Sequence, residues 1–176
     1  MGTRSFFLIF YAIINIFTSN FLKIMYMKNL PEIVIGENDI TLQDMADLNQ
    51  LLKYLNPEAV QIDFERVKDV MSSGTILSLR DALKDKKLIG MGTLLSIRKL
   101  FVFCGHIEDV VVSEEYQKKG LGRKIMGDLM KKSQQLGMKF VDLTSSPERE
   151  SANQLYQSMG FNKRDTNVYR LYSKQS

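Results

Sequence analysis

The chain has 176 residues, a net charge of +4, and hydrophobic and charged fractions of 44% and 25%. These are ordinary values for a soluble globular domain long enough to bury a core without covalent staples. A single cysteine, Cys104, excludes an internal disulfide framework and a cysteine-rich zinc site, and a single histidine, His106, excludes multi-histidine metal chemistry within one chain. The excess of Lys and Arg, 24 against 20 acids, suits an anionic ligand but is too small to argue for nucleic acid.

Apolar character is unevenly spread. Phe6 to Phe17 reads FFLIFYAIINIF, and FLKIMYM follows after Thr18-Ser19-Asn20. The clean run of 12 residues is short of the ~20 that a spanning helix needs. No small-x-small cleavage site follows it, and Phe6 stands where a myristoylation signal wants Ser or Thr. Three readings stay open: a weak membrane anchor through residues 6–27, a secretory signal, or an extension upstream of a natural start at Met25 or Met27. Met27-Lys28, just ahead of the first strand-like run, favours the third, and with it a cytoplasmic protein. The chain then divides into an apolar extension, 1–31, and a domain, 32–176.

Ile33-Val34-Ile35 is a β-branched run and the expected first strand. Asp44 precedes Met45, Leu48, Leu51, Leu52 and Leu55 at helical spacing, and Pro57 closes that helix. Phe64, Val67, Val70 and Met71 mark a second helix, ending near Ser72-Ser73-Gly74. Thr75 to Arg80 reads as a strand, Asp81 to Lys87 as a polar turn, and Leu88 to Ile97 as the return strand of a hairpin, with Gly90 and Gly92 pointing to a bulge. Cys104 to Val112, CGHIEDVVV, has the signature of a buried strand with two acids in its middle. After the polar connection Ser113–Lys119, an amphipathic helix carries Leu121, Ile125, Met126, Leu129, Met130 and Leu136 and stops at Gly137. Phe140 to Leu143 is a further strand, and Glu150 to Ser158 a helix ended by Gly160. Phe161–Arg164 and Val168–Tyr172 read as a terminal hairpin around Asp165-Thr166-Asn167. The expected architecture is a mixed α/β sheet covered by helices.

The most informative stretch is Gln117-Lys118-Lys119-Gly120-Leu121-Gly122, between the buried strand and the amphipathic helix. Glycines let the backbone turn tightly and come close to a ligand. The unpaired N–H groups of the new helix then converge with the positive end of its dipole behind them, a site for phosphate or diphosphate. Lys118, Lys119, Arg123 and Lys124 add cationic character. The stretch is neither a P-loop nor a GxGxxG turn.

Q-x-x-G-x-G after a valine run, with N-x-x-Y-x-x-x-G-F about thirty positions on (Asn153, Tyr156, Gly160, Phe161), resembles the GNAT N-acetyltransferase superfamily. The resemblance covers roughly Glu32 to Tyr172. It implies a GNAT-like acyl-CoA N-acyltransferase fold, with a splayed mixed sheet flanked by helices and acetyl-CoA held where two strands part. It further implies pantetheine along the backbone of Val110, Val111 and Val112, with Asn153 nearby. The diphosphate would sit on N–H groups from Gln117, Lys118, Lys119, Gly120, Leu121, Gly122 and Arg123. No metal is implied, and a homodimer is expected.

Acetyl transfer to an amine calls for a base, oxyanion donors and an acid for the leaving thiolate. Tyr156 suits the acid, because a phenol with a reference pKa of about 10 is protonated at neutral pH. Glu108 is expected as base and Asp109 as substrate binder; strand alternation puts them on opposite faces unless a bulge intervenes. Arg149 is placed to meet an anionic group of the substrate. His106 reads as structural or peripheral and Cys104 as a packed core thiol. GHIEDVVV is similar to the corresponding strand of glucosamine 6-phosphate and polyamine N-acetyltransferases, while Thr144–Glu150 departs from the first of these. The expected function is acetyl-CoA-dependent acetylation of a primary amine of a small molecule. The alternatives are a CoA-binding module without turnover and a peptide or protein N-acetyltransferase.

Overall fold

The computed structural model describes residues 33–173. The apolar stretch 6–27 and the division at residue 31 therefore fall outside or at the margin of the described residues. Five strands form one sheet: β1 (Ile33–Glu37), β2 (Gly74–Asp81), β3 (Lys87–Arg98), β4 (Phe103–Val112) and β5 (Val141–Leu143), in the order β1-β2-β3-β4-β5. Neighbours are antiparallel except β4 and β5, which run parallel. Four helices cover the sheet: α1 (Met45–Leu55), α2 (Phe64–Ser73), α3 (Leu121–Gln135) and α4 (Glu150–Ser158).

Strand alternation divides the core in two. Ile76, Leu88, Met91 and Val111 face α1 and α2, where they pack with Leu48, Leu51 and Val67. Their chain neighbours Leu77, Ile89 and Val112 face the other way and pack with Ile125, Met126 and Leu129 of α3 and Tyr156 of α4. A sheet covered on both faces needs apolar residues at successive positions, which is why these strands read as continuous runs rather than as alternation. Gly92 lets α3 lie close on β3: a Cβ there would come within 2.6 Å of Ile125 Cγ2.

The helices and the first four strands lie where the sequence places them. Asp81 belongs to the end of β2 rather than to a polar turn; it is buried and accepts a hydrogen bond from the Tyr116 hydroxyl at 2.7 Å. The expected terminal hairpin is absent among the described residues, and the sheet stops at β5. Val168, Tyr169, Leu171 and Tyr172 are exposed instead. Their β-propensity is only a preference for a pleated, half-buried surface, and no described strand pairs with them.

One polar cluster was not legible in the sequence. The Arg80 side chain, 10% exposed, donates to Asp39 Oδ2 at 3.1 Å and to Asp44 Oδ1 at 2.6 Å, and so ties β2 to the turn that starts α1. Burial pushes the Asp44 carboxyl up, but hydrogen bonds from Arg80 and Thr41 outweigh it and leave the group below its ordinary value.

Candidate active site

The site begins with a defect in β4. Met91 pairs with Val111 and Thr93 with Glu108, so Gly92 alone faces both Asp109 and Val110. Two residues opposite one is a β-bulge. Asp109 takes up the extra residue with φ +54, in the left-handed region that Asp tolerates better than most side chains. The bulge breaks the alternation that would separate the two acids. Glu108 and Asp109 both line one cleft of about 530 Å³.

β4 also loses its neighbour here. The β4–β5 ladder pairs Gly105 with Val141, His106 with Asp142 and Ile107 with Leu143, and ends there. β4 continues to Val112, so from Glu108 onward its outer edge has no strand partner among the described residues. Leu143, Thr144, Ser145, Ser146 and Arg149 line the opposite wall, and Tyr156 reaches in from α4.

The groups in the cleft sense one another. Burial pushes the Asp109 carboxyl up, and the nearby Glu108 charge adds to this. Burial also pushes the Tyr156 phenol up; Arg149 opposes and Glu108 assists. Tyr156 is held by edge-to-face packing on Phe161, with ring centroids 6.1 Å apart. Glu108 Oε1 is 3.0 Å from His106 Nε2.

The turn into α3 lies past the end of β4. Gly120 is the N-cap with φ +78, and Lys118 has φ +60. The first bond of α3 runs from the Lys124 N–H to the Gly120 carbonyl. The N–H groups of Lys118 to Arg123 find no backbone acceptor among the described residues, and no side chain caps the helix. A Cβ at Gly120 would meet nothing within 4 Å. Six unspent donors and the positive end of a 15-residue helix form a fitting cradle for a diphosphate.

A family model described as the acetyltransferase (GNAT) family matches residues 43–161. The chain belongs to the acetyltransferase (GNAT) family. Solved structures agree. An acetyltransferase of Trypanosoma brucei has a TM-score of 0.67 at 22% identity, covering 80% of this chain and 100% of its own. Glucosamine-6-phosphate N-acetyltransferase from Arabidopsis thaliana has a TM-score of 0.66 at 21% identity, covering 80% and 99%. Ribosomal-protein-alanine N-acetyltransferase from Brucella melitensis biovar Abortus has a TM-score of 0.63 at 16% identity, covering 80% and 99%. At these identities the likeness shows the fold. No curated protein matches the chain in sequence.

The GNAT site residues expected from sequence fall into two groups. Glu108, Asp109, Val110, Arg149 and Tyr156 share the cleft. Lys118 to Arg123 form the turn, and the backbone of Val110 to Val112 runs toward it. Three side chains are committed elsewhere. Gln117 donates its amide to the Val112 carbonyl at 3.0 Å, and its N–H goes to Glu114 at 3.2 Å, so it braces the turn and is not one of the open donors. Asn153 donates to the Ser146 carbonyl at 2.9 Å and fastens the β5–α4 loop. Arg123 donates to Ser158 Oγ at 2.6 Å.

Sequence reading missed the His106–Glu108 pair, although residues two apart on a strand share a face and the spacing was there to see. The polar stretch Thr144–Glu150 reads from sequence as a loop near the site, and Thr144, Ser145, Ser146 and Arg149 line the cleft; Arg170 was missed, and only the tertiary structure brings it in from the C-terminal segment. Among the described residues no helix is long and apolar enough to cross a membrane, and no group of three His, Cys, Asp or Glu side chains could hold a metal ion.

Proposed function

We propose that the protein is an acetyl-CoA-dependent N-acetyltransferase that acts on a primary amine of a small molecule by direct transfer. The observation that carries this reading is the parting of β4 from β5 after Ile107, with the acids and Tyr156 in the gap and the six unspent N–H groups past the end of the same strand.

In this reading the donors of Lys118 to Arg123 hold the diphosphate of acetyl-CoA. The backbone edge of Val110 to Val112, which has no strand partner among the described residues and whose Val112 carbonyl already accepts from Gln117, holds the pantetheine arm. The co-substrate supplies the acetyl thioester. Glu108, steadied by His106, takes the proton of the substrate ammonium, directly or through a water. Asp109 binds the ammonium end. Backbone N–H groups at the parted strands face the acyl oxygen as charge builds on it. Tyr156 gives its proton to the departing sulfur; burial keeps the phenol protonated across neutral pH. We further propose a homodimer, expected from the GNAT resemblance and testable by light scattering, and a cytoplasmic location.

A second assignment exchanges the two acids. Asp109 lines the same cleft, and burial raises its carboxyl from the ordinary value, the direction that favours a proton acceptor. Glu108→Gln and Asp109→Asn separate the two, because the variant that removes the base loses the greater share of kcat.

The test is acetyl-CoA-dependent thiol release across a panel of amines, with thermal unfolding measured with and without acetyl-CoA. Thiol release with stabilisation supports transfer. Stabilisation without release from any amine favours a CoA-binding module, and release from peptides alone favours a peptide N-acetyltransferase. No stabilisation by acetyl-CoA overturns the reading.

A further inference from the structure

The cleft is lined by charge of both signs. Glu108 and Asp109 are met by Arg149, at the start of α4, and by Arg170, from the C-terminal segment. Three other arginines are spent within the protein: Arg123 on Ser158, Arg164 on Asp142 at 3.4 Å, and Arg80 on Asp39 and Asp44. Among the described residues the guanidiniums of Arg149 and Arg170 make neither an ion pair nor a hydrogen bond, although both line the same cleft. Ser145 also lines the cleft, and its Oγ, buried in the unliganded protein, has no hydrogen-bond partner among the described residues. A buried polar atom left without a partner calls for one.

These groups do not serve the diphosphate turn. No residue from Gln117 to Lys124 lines this cleft, whereas both acids and Tyr156 do. The arginines therefore belong to the acceptor end. Tyr156 lines the same cleft, and its phenol feels both signs, Arg149 lowering it and Glu108 raising it.

We propose that the acceptor is a small amine that also carries an oxyanion, a phosphate monoester or a carboxylate. Its ammonium lies toward Glu108 and Asp109, and its oxyanion lies between Arg149 and Arg170 with the Ser145 hydroxyl as a further donor. The assignment of the ammonium end rests on the transfer reading. A guanidinium offers a planar pair of donors that matches an oxyanion, so the contact fixes orientation as well as charge. The same two arginines repel a polycation. A polyamine would satisfy the acids but would leave like charges facing each other, a form of discrimination against the wrong ligand.

The experiment measures calorimetric binding of matched amines to the full-length protein saturated with CoA, and so does not depend on turnover. The probes are glucosamine against glucosamine 6-phosphate, serine against serinamide, and spermidine. We expect at least a tenfold preference (~1.4 kcal/mol) for the charged member of one pair; the pair that shows it tells phosphate from carboxylate. Spermidine should be the weakest ligand. In the Arg149→Gln/Arg170→Gln double variant the preference should fall to within twofold. The Arg→Lys pair, which keeps charge without the fork, should recover part of it. Both arginines are exposed, and thermal unfolding confirms that the variants fold. Equal binding within both pairs, a preference that survives in the double variant, or tightest binding of spermidine overturns the proposal. Thiol release on the same samples reads the transfer chemistry separately. Oxyanion-selective binding without release supports this assignment and sinks transfer. Release from neutral amines alone supports transfer and sinks this assignment.

Discussion

Gly120 separates what the turn does for stability from what it does for a ligand. Its φ of +78 is in the left-handed region, and a Cβ there would meet no protein atom within 4 Å. Gly120→Ala therefore costs backbone energy alone, about 1–2 kcal/mol, or ~2–8 °C in Tm for a chain of this size. Gly120→Asn recovers most of that, because Asn tolerates the left-handed region, yet it adds a side chain to the turn that carries the open N–H groups. Gly122→Ala is the control. Gly122 has no positive φ, and a Cβ there would sit 3.6 Å from Leu155 Cδ2, an ordinary contact. A Gly→Ala change inside a helix gains roughly 0.5–1 kcal/mol. Thermal unfolding should rank Gly122→Ala at or above wild type, Gly120→Asn near it and Gly120→Ala below. On adding acetyl-CoA at about 100 times its Kd, wild type should gain about 2.7 kcal/mol, and Gly120→Asn should gain far less. A Gly120→Asn protein stabilised by acetyl-CoA as strongly as wild type would refute the cradle. A Gly120→Ala protein as stable as wild type would refute the backbone argument.

Tyr156→Phe keeps the packing on Phe161 and removes the proton donor. Its kcat should fall about 100-fold or more while acetyl-CoA affinity holds, and unchanged turnover removes Tyr156 as the acid. Asp109 has a folded-state pKa above its ordinary 3.8, so the folded protein binds this proton the more readily and loses stability as pH rises through the folded value. Asp109→Asn should accordingly raise Tm at pH 7, with the gain fading toward pH 3.8 and below; a constant gain across that range counts against the burial argument. Arg80→Met strands two carboxylates and should cost roughly 3–5 kcal/mol in urea unfolding. Asp44 is held below its ordinary value, so its contribution is present above 3.8 and lost as pH falls through the folded value. That loss on acidification should flatten in the variant.

Legibility followed the range of the forces involved. Helix α3 could be read because Leu121, Ile125 and Leu129 repeat at the helical period and Gly120 and Gly137 bracket them. The glycine turn with its open N–H groups could be read because it needs only glycines next to a helix start. The Arg80 cluster could not, because its partners lie 36 and 41 positions away and carry no local pattern. The terminal hairpin was read from β-propensity at Val168–Tyr172, and propensity does not supply the neighbouring strand a ladder requires.

Local chemistry thus marked the helices, the five strands and the glycine turn, since backbone dihedrals and side-chain period are properties of consecutive residues; the family was read from the resemblance of two short motifs. The tertiary structure decided the contents of the cleft. Gly92 opposite Asp109 and Val110 makes the bulge that turns both acids to one side. The end of the β4–β5 ladder at Ile107 opens the gap. The fold of the C-terminal segment brings Arg170 to the same cleft as Arg149. Each of these depends on register between distant strands or on the path of a loop, which no single segment specifies.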